Sequence, residues 1–440
     1  MLTGSQVEGA HNLQPSNLPT PEGIFWWGFY ENRSVDEFLE AALKYMSGGR
    51  IDPRQVPSSS LRTQIIGAML GAGRYLFVLD GLEVLQHQEG DQYGLLQSND
   101  LRDLLTYFAR PDNASFCLVT SRAPLLDLMD YTTYTHRDVE RLLPADGRAL
   151  LRKLCVQGTD AELDKVVADW DGHALALSLL AAYLKDRYAG DVKHLADIPT
   201  PSADEPRYER IHRVLRRYDE HLTEAEREFL ELFSAFRTPV HESAFEKVFR
   251  PLLPAPEEEQ QLPSPSRRGA GGEVQGDLLS LVTRLVSYRI LRHDAPTHTY
   301  TTHPLIRNYY FALLTRGDVT QQHSVHEHIK NYYLSLAGDT PQYPTLDDLK
   351  PLIEVVHHAC QAGAYDEAIN IVYQRIYQGF PARVLVSQLG AWETAYTLML
   401  EFFPDGDTSQ EPQVSGPKAR SWILNEIGLC LMYLGRLREA

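Results

Sequence analysis

LFVLDGLE, Leu76–Glu83, is the stretch whose reading decides the fold. Four apolar residues run without alternation into Asp80, Gly81 and, after Leu82, Glu83. A short continuous apolar run predicts a strand buried on both faces, as in a parallel sheet. An aspartate at the carboxyl end of such a strand can hold the magnesium of a nucleoside triphosphate, directly or through water. A nearby acid such as Glu83 can orient an attacking water. Taken alone, the same eight residues also suit an ordinary strand that ends in an acidic turn.

The flanking sequence supplies the rest of a sheet. GIFWWGFYE, Gly23–Glu31, has the aromatic density of a buried strand. Ser34 to Glu37 has the spacing of a capping box, and Phe38, Leu39, Ala42, Leu43 and Met46 follow at helical intervals. A second helix is predicted near Leu61–Ala72, and a third near Leu101–Ala109 after a loop around His87–Asn99. A further buried strand, Ser115–Thr120, leads into Arg122. Strands alternating with helices predict an α/β sheet.

Beyond it the pattern is helical. LPADGRALLRKLC, DAELDKVVADWDG and HALALSLLAAYLKDRY place apolar residues at i, i+3, i+4 between about Leu125 and Leu195. Pro199–Pro206 is a linker, and three short helices with a capping box at Thr223–Glu226 follow. Pro251–Gly276, rich in Pro, Glu, Ser and Gly, predicts a disordered insertion. A helix, strands at Ile290–His293 and His298–Thr302, and another helix complete a winged-helix outline. The remainder repeats a pattern: Gly363, Tyr365, Ala368; Gly390, Trp392, Ala395; Gly435, Leu437, Ala440. In helical hairpin repeats Gly is expected where two helices approach closely, the large apolar residue packs between them, and Ala lets the second helix come near.

Composition narrows the classes. The 440 residues carry 42 Lys and Arg against 59 Asp and Glu, a net charge of −17, which disfavours passive binding to nucleic acid or anionic lipid. No apolar run is long enough to cross a membrane, and the first residues have neither a basic nor an apolar secretion segment. Cys117, Cys155, Cys360 and Cys430 are scattered, without a CxxC pair, so a disulfide framework or a zinc site is not indicated. A cytoplasmic, reducing setting is expected.

Four motifs, in order, resemble those of STAND-class P-loop NTPases, the class that includes NB-ARC proteins. LFVLDGLE resembles a Walker B strand. FCLVTSR, Phe116–Arg122, resembles the strand ending in T-S/T-R whose arginine senses the γ-phosphate. WDGHALALSLL, from Trp170, resembles the GxPLAL segment that packs near the nucleotide, with Gly172 and Leu175–Leu177 matching and Ala174 in the Pro position. THPLIRNY, Thr302–Tyr309, resembles the histidine motif that reaches the β-phosphate of ADP. The resemblance covers residues 23–440, and FWWGFYE is similar to that domain's second strand. It implies ATP or ADP and magnesium as cofactors in the intact family. It implies Asp80 for magnesium and Glu83 for water, and Arg122, Gly172 and His303 for the nucleotide.

The expected architecture is multidomain α/β plus α. A tail (1–22) precedes a partial P-loop NTPase sheet (23–125), a helical domain (126–205), a winged helix (206–318) with the 251–276 insertion, and tetratricopeptide-like repeats (319–440). No GxxxxGK[ST] occurs, and the sequence has no Gly-Lys dipeptide. Without that cradle most phosphate donors are lacking. The 440 residues are therefore expected to be the middle of a longer protein, binding nucleotide weakly or not at all on their own. The functional expectation is a nucleotide-dependent signalling switch, an ATPase in the intact family. Its repeats would sense a protein or peptide partner, and it would form homo-oligomers when activated. The alternatives are a non-enzymatic repeat scaffold with a relic NTPase domain and a winged-helix transcription regulator. The arginines at 207, 210, 213, 216 and 217 are the best hint of DNA, and the acidic balance argues against it. His323, His326 and His328 have no supporting metal motif and predict a solvated helix face.

Overall fold

The computed structural model describes residues 20–56, 58–87, 92–137, 139, 141–197, 215–216, 219–220, 222–253 and 273–437. Strands β1 (Gly23–Gly28), β2 (Tyr75–Asp80) and β3 (Phe116–Val119) form a parallel sheet with β2 in the centre. The register puts Phe25 beside Phe77 and Phe77 beside Cys117. Helices α1 (Val35–Met46), α2 (Ser59–Ala72) and α3 (Asn99–Phe108) supply the rest of this core. Side chains alternate across a strand. Phe25, Trp27, Phe77 and Leu79 therefore share one face, packed with Phe38 and Leu39 of α1. The Phe25 and Phe77 rings lie 4.8 Å apart. Arg62, fully buried on α2, donates Nε to the Val56 carbonyl at 2.8 Å and pairs with Glu40 at 3.2 Å.

The opposite face differs from the expectation. Ile24 and Trp26 of β1 and Phe116 and Leu118 of β3 are half or more exposed, with Trp26 and Phe116 at 64%. The strands are apolar on both sides, but among the described residues helices cover only one of them. Ser115–Thr120 is thus a strand with one open face and not a fully buried one. The Ser34–Glu37 box is also only half formed. Ser34 caps α1 by accepting the Glu37 N–H at 3.2 Å, while the Glu37 carboxylate accepts Asn32 Nδ2 at 2.7 Å.

Two compact units divide the described chain. The first holds this sheet and its helices together with two short later pieces, Gly390–Thr394 and Tyr433–Arg436. Within it, Thr394 donates its N–H and its hydroxyl to the buried Asp36 carboxylate, both at 2.9 Å. The tail expectation is corrected at its end, since Glu22 N–H donates to the Arg74 carbonyl at 2.7 Å and so extends the pairing of β1 with β2. The rest of the tail, 1–19, lies outside the described residues.

The second unit holds α4 (Pro144–Lys153), α5 (Asp160–Asp169) and α6 (Ala174–Tyr188), with a reciprocal capping box at Thr159 and Glu162 starting α5. Its later part has a helix at Glu224–Ser234, a helix at Glu273–Ser287, and an antiparallel sheet of β4 (Val240–His241), β5 (Leu291–Asp294) and β6 (Thr299–Thr302), in the order β4–β6–β5. The hairpin was legible; β4 was not, because two residues carry no period. Helices at Arg250–Leu252 and from Glu273 trim the expected disordered insertion at both ends, and 254–272 lie outside the described residues.

Helices Val319–Leu336, Leu346–Gln361 and Tyr365–Ile371 follow. Ala368 is fully buried as expected. Gly363 has a different reason from the expected one. A Cβ on it would meet nothing closer than 3.7 Å, but its φ is +77°, and Gly390 and Gly435 are also left-handed, at +63° and +72°. At Gly363 glycine serves to turn the chain and not to admit a neighbouring helix. Ala440 lies outside the described residues.

Candidate functional site

The carboxyl ends of β2 and β3 gather one cluster. Asp80 ends β2, and the Thr120 hydroxyl just beyond β3 donates to its Oδ1 at 2.5 Å. The same hydroxyl accepts the Gly81 N–H at 2.9 Å. Backbone bonds fix both segments: Thr120 N–H donates to the Leu79 carbonyl, and Leu82 N–H to the Thr120 carbonyl, each at 2.9 Å. Three consecutive residues after β3 thus each engage the segment after β2. Thr120 bonds Asp80, Ser121 donates to buried Gln86 at 2.5 Å, and Arg122 Nε lies 3.1 Å from Glu83 Oε1.

Tyr30, two residues past β1, completes the cluster. Its phenol donates to Glu83 Oε1, and its ring lies under the Arg122 guanidinium at 5.8 Å. A Cβ at Gly81 would come within 2.4 Å of that ring, so the glycine admits it. Burial, the bond to Glu83 and the Glu83 charge push the Tyr30 phenol well above its ordinary range. Tyr30, Thr120, Ser121 and Gln86 escaped the sequence reading. The available signal was positional: Tyr30 closes the FWWGFY strand next to the strand of Asp80, and Thr120-Ser121 precedes the candidate arginine.

Asp80, Glu83 and Arg122 therefore stand together at the strand ends. The chemistry of the Asp80 position suits magnesium. The ion takes one or two carboxylates and fills its remaining positions with water and phosphate. Asp80 Oδ2 makes no hydrogen bond among the described residues. A phosphate cradle of the Gly-Lys type is not part of the sequence, so these residues fit the metal end of a nucleotide better than its phosphate end.

Gly172 and His303 belong to the second unit, and each has a local role there. Gly172 sits at φ +59° after α5, where its N–H donates to the Val167 carbonyl at 2.7 Å and its carbonyl accepts Leu142 N–H at 2.9 Å. His173 takes over the start of α6, with Nδ1 accepting Ala176 N–H at 3.4 Å. His303 caps the helix Pro304–Arg316, its Nδ1 accepting Leu305 N–H at 3.2 Å.

The histidines near 326 depart from the expected solvated face. His326 is buried, with Nδ1 2.8 Å from Nδ1 of His358. His328 meets the Ser324 carbonyl within its own helix at 2.8 Å. Among the described residues no group of three or more His, Cys, Asp or Glu is arranged to hold a metal. Of the five arginines in the basic stretch 207–217, only Arg216 is among the described residues.

No family model matches the sequence, and no curated protein matches it. Among solved structures, the chain is similar to a signal transduction ATPase with numerous domains (STAND) protein with a tetratricopeptide repeat sensor from Pyrococcus horikoshii. The TM-score is 0.55 at 12% identity, covering 94% of this chain and 55% of that one. The chain thus spans about half the length of that protein. A Walker-type ATPase of Pyrococcus abyssi aligns with a TM-score of 0.27 at 12% identity, over 66% of this chain and 84% of that one, a score at which the folds are not comparable. The first likeness shows the fold: a mixed α/β chain with a three-stranded parallel sheet and many helices, arranged as in a STAND protein.

Proposed function

We propose that this chain is the core of a nucleotide-dependent signalling switch of the STAND type. The observation that carries the reading is the cluster at the strand ends. Asp80 and Glu83, neighbours in one motif, meet the sequence-distant Arg122 where β2 and β3 stop. Asp80 would hold magnesium, which neutralises phosphate charge when bound. Thr120 fixes the Asp80 carboxylate by donating to it. Glu83 would orient a water, and the planar Arg122 fork suits a terminal phosphate. Gly172 and His303 enter as nucleotide contacts through the resemblance alone. The STAND-like fold supports the reading as a whole.

In such a switch two conformations differ in affinity for ADP and ATP, and a partner biases them. The late helices, Val319–Leu336 onward, are the proposed sensor of a protein or peptide, and self-association is the proposed active state. Residues 206–318 would be the winged helix. A cytoplasmic setting is proposed with it. No helix among the described residues is long and apolar enough to cross a membrane.

Binding of Mg-ATP and Mg-ADP tests the reading. The expected result is an affinity weaker than micromolar that Asp80→Ala abolishes. The lack of a Gly-Lys cradle favours a second reading, a repeat scaffold beside a relic NTPase domain. A captured peptide whose affinity ignores nucleotide, together with no nucleotide binding at all, would favour that scaffold. Salt-dependent DNA binding lost on Arg213→Ala and Arg216→Ala would instead favour a transcription regulator.

A further inference from the structure

Glu83 is the acid asked to orient water, yet its carboxylate is already engaged. One oxygen, Oε1, accepts the Tyr30 phenol and lies 3.1 Å from Arg122 Nε. The Glu83 side chain is 10% exposed and that of Arg122 is 50% exposed. One end of the pair is therefore held inside the protein, and the other stands at the surface. Tyr30 is fixed in turn: its ring packs on Gly81, and the neighbouring Phe29 N–H donates to the Asp80 carbonyl at 2.8 Å. A carboxylate and a phosphate oxygen compete for the same guanidinium donors.

We propose that Tyr30, Glu83 and Arg122 form a latch. Glu83 occupies Arg122 in place of a phosphate, and Tyr30 holds it there until an incoming phosphate takes the guanidinium. The proposal rests on the nucleotide reading above and adds its regulation. Opening the latch performs two tasks at once. It gives Arg122 to the phosphate, and it leaves the Glu83 carboxylate with an oxygen for water. Tyr30 is a positioning residue here, acting through Glu83 and not on the ligand.

The latch makes an unusual demand, that removing contacts tightens binding. Tyr30→Phe keeps the ring on Gly81 and under Arg122 and removes only the phenol donor. Glu83→Gln keeps the shape and removes the competing charge. Titrations of Mg-ATP into the full chain, followed by ligand-observed NMR, read weak affinities directly. Each variant is expected to bind roughly three- to tenfold tighter than the wild type, the range of one ordinary hydrogen bond's net contribution. The double variant gains no more than the better single one, and neither substitution helps in an Arg122→Ala background. A merely structural role for Tyr30 predicts equal or weaker binding. Wild-type binding with unchanged or weakened affinity in both variants overturns the latch and leaves the nucleotide reading standing. No binding by the wild type or by either variant overturns both.

Discussion

At Gly172 the backbone is left-handed, and a Cβ would lie 2.4 Å from the Leu142 carbonyl oxygen. Backbone cannot yield as a side chain can. Gly172→Ala is expected to destabilise the second unit by about 1–3 kcal/mol, the cost of a left-handed non-glycine, with the contact adding to it. A urea titration followed by circular dichroism reads the loss, and an unchanged midpoint would refute it. The histidines give a second residue-scale expectation. Burial holds His326 down to about 4, and His357 and His358 also fall below the usual imidazole range. The folded state keeps these rings neutral, whereas the unfolded chain protonates them near their ordinary value of about 6.5. Their stability contribution is therefore complete above pH ~6.5 and declines as the pH falls towards 4, by up to about 1.4 kcal/mol per pH unit for each ring. Burial raises the Glu401 carboxyl, but His357 and Arg237 draw it down to about 2, so it stays charged in the folded state while the unfolded chain protonates it near about 4.3, and it steepens the decline at the acid end of that window. Thermal midpoints between pH 7 and 4 should show the decline, and His326→Gln should make it shallower.

Among the elements, α6 shows how a local substitute replaces a motif residue. The GxPLAL resemblance puts Pro where this chain has Ala174, the first residue of the helix. That position needs no N–H for the helix ladder. The preceding His173 is extended, at φ −73° and ψ 105°, a conformation that tolerates a following proline. Ala174→Pro should thus stabilise the helical part by about 0.4–1 kcal/mol, and a lowered melting midpoint would show that the start of α6 is built differently. The strands behaved less simply. A run of apolar residues reports that both faces can be buried, but not that both are. In β3, Phe116 and Leu118 face solvent while Cys117 and Val119 pack inward. Helices were legible because their apolar stripes are long. The two-residue β4 and the half-formed Ser34 box were not, because each depends on one neighbour that the local pattern does not specify.

In the molecule as a whole, the open sheet face has a measurable consequence. Ile24, Trp26, Phe116 and Leu118 expose contiguous apolar surface in the first unit, the kind of patch that drives association. Trp26→Lys with Phe116→Lys should lower concentration-dependent self-association of this chain in sedimentation velocity, with the helical circular dichroism unchanged. The acidic balance, the α/β alternation, the helical later regions and the trio Asp80, Glu83 and Arg122 were all present in the sequence, because each is a local pattern of residue types. Three arrangements were decided only in the folded chain. Tyr30 closes on Glu83 across 53 residues, and Thr394 donates to Asp36 across 358. Among the described residues the helices settle on one side of the sheet, and on the other Ile24, Trp26, Phe116 and Leu118 stay exposed. Local spacing encodes which face of an element is apolar. Which partner meets that face, and which charge a carboxylate finally meets, is fixed when distant segments pack, and no short window of sequence contains both sides of that contact.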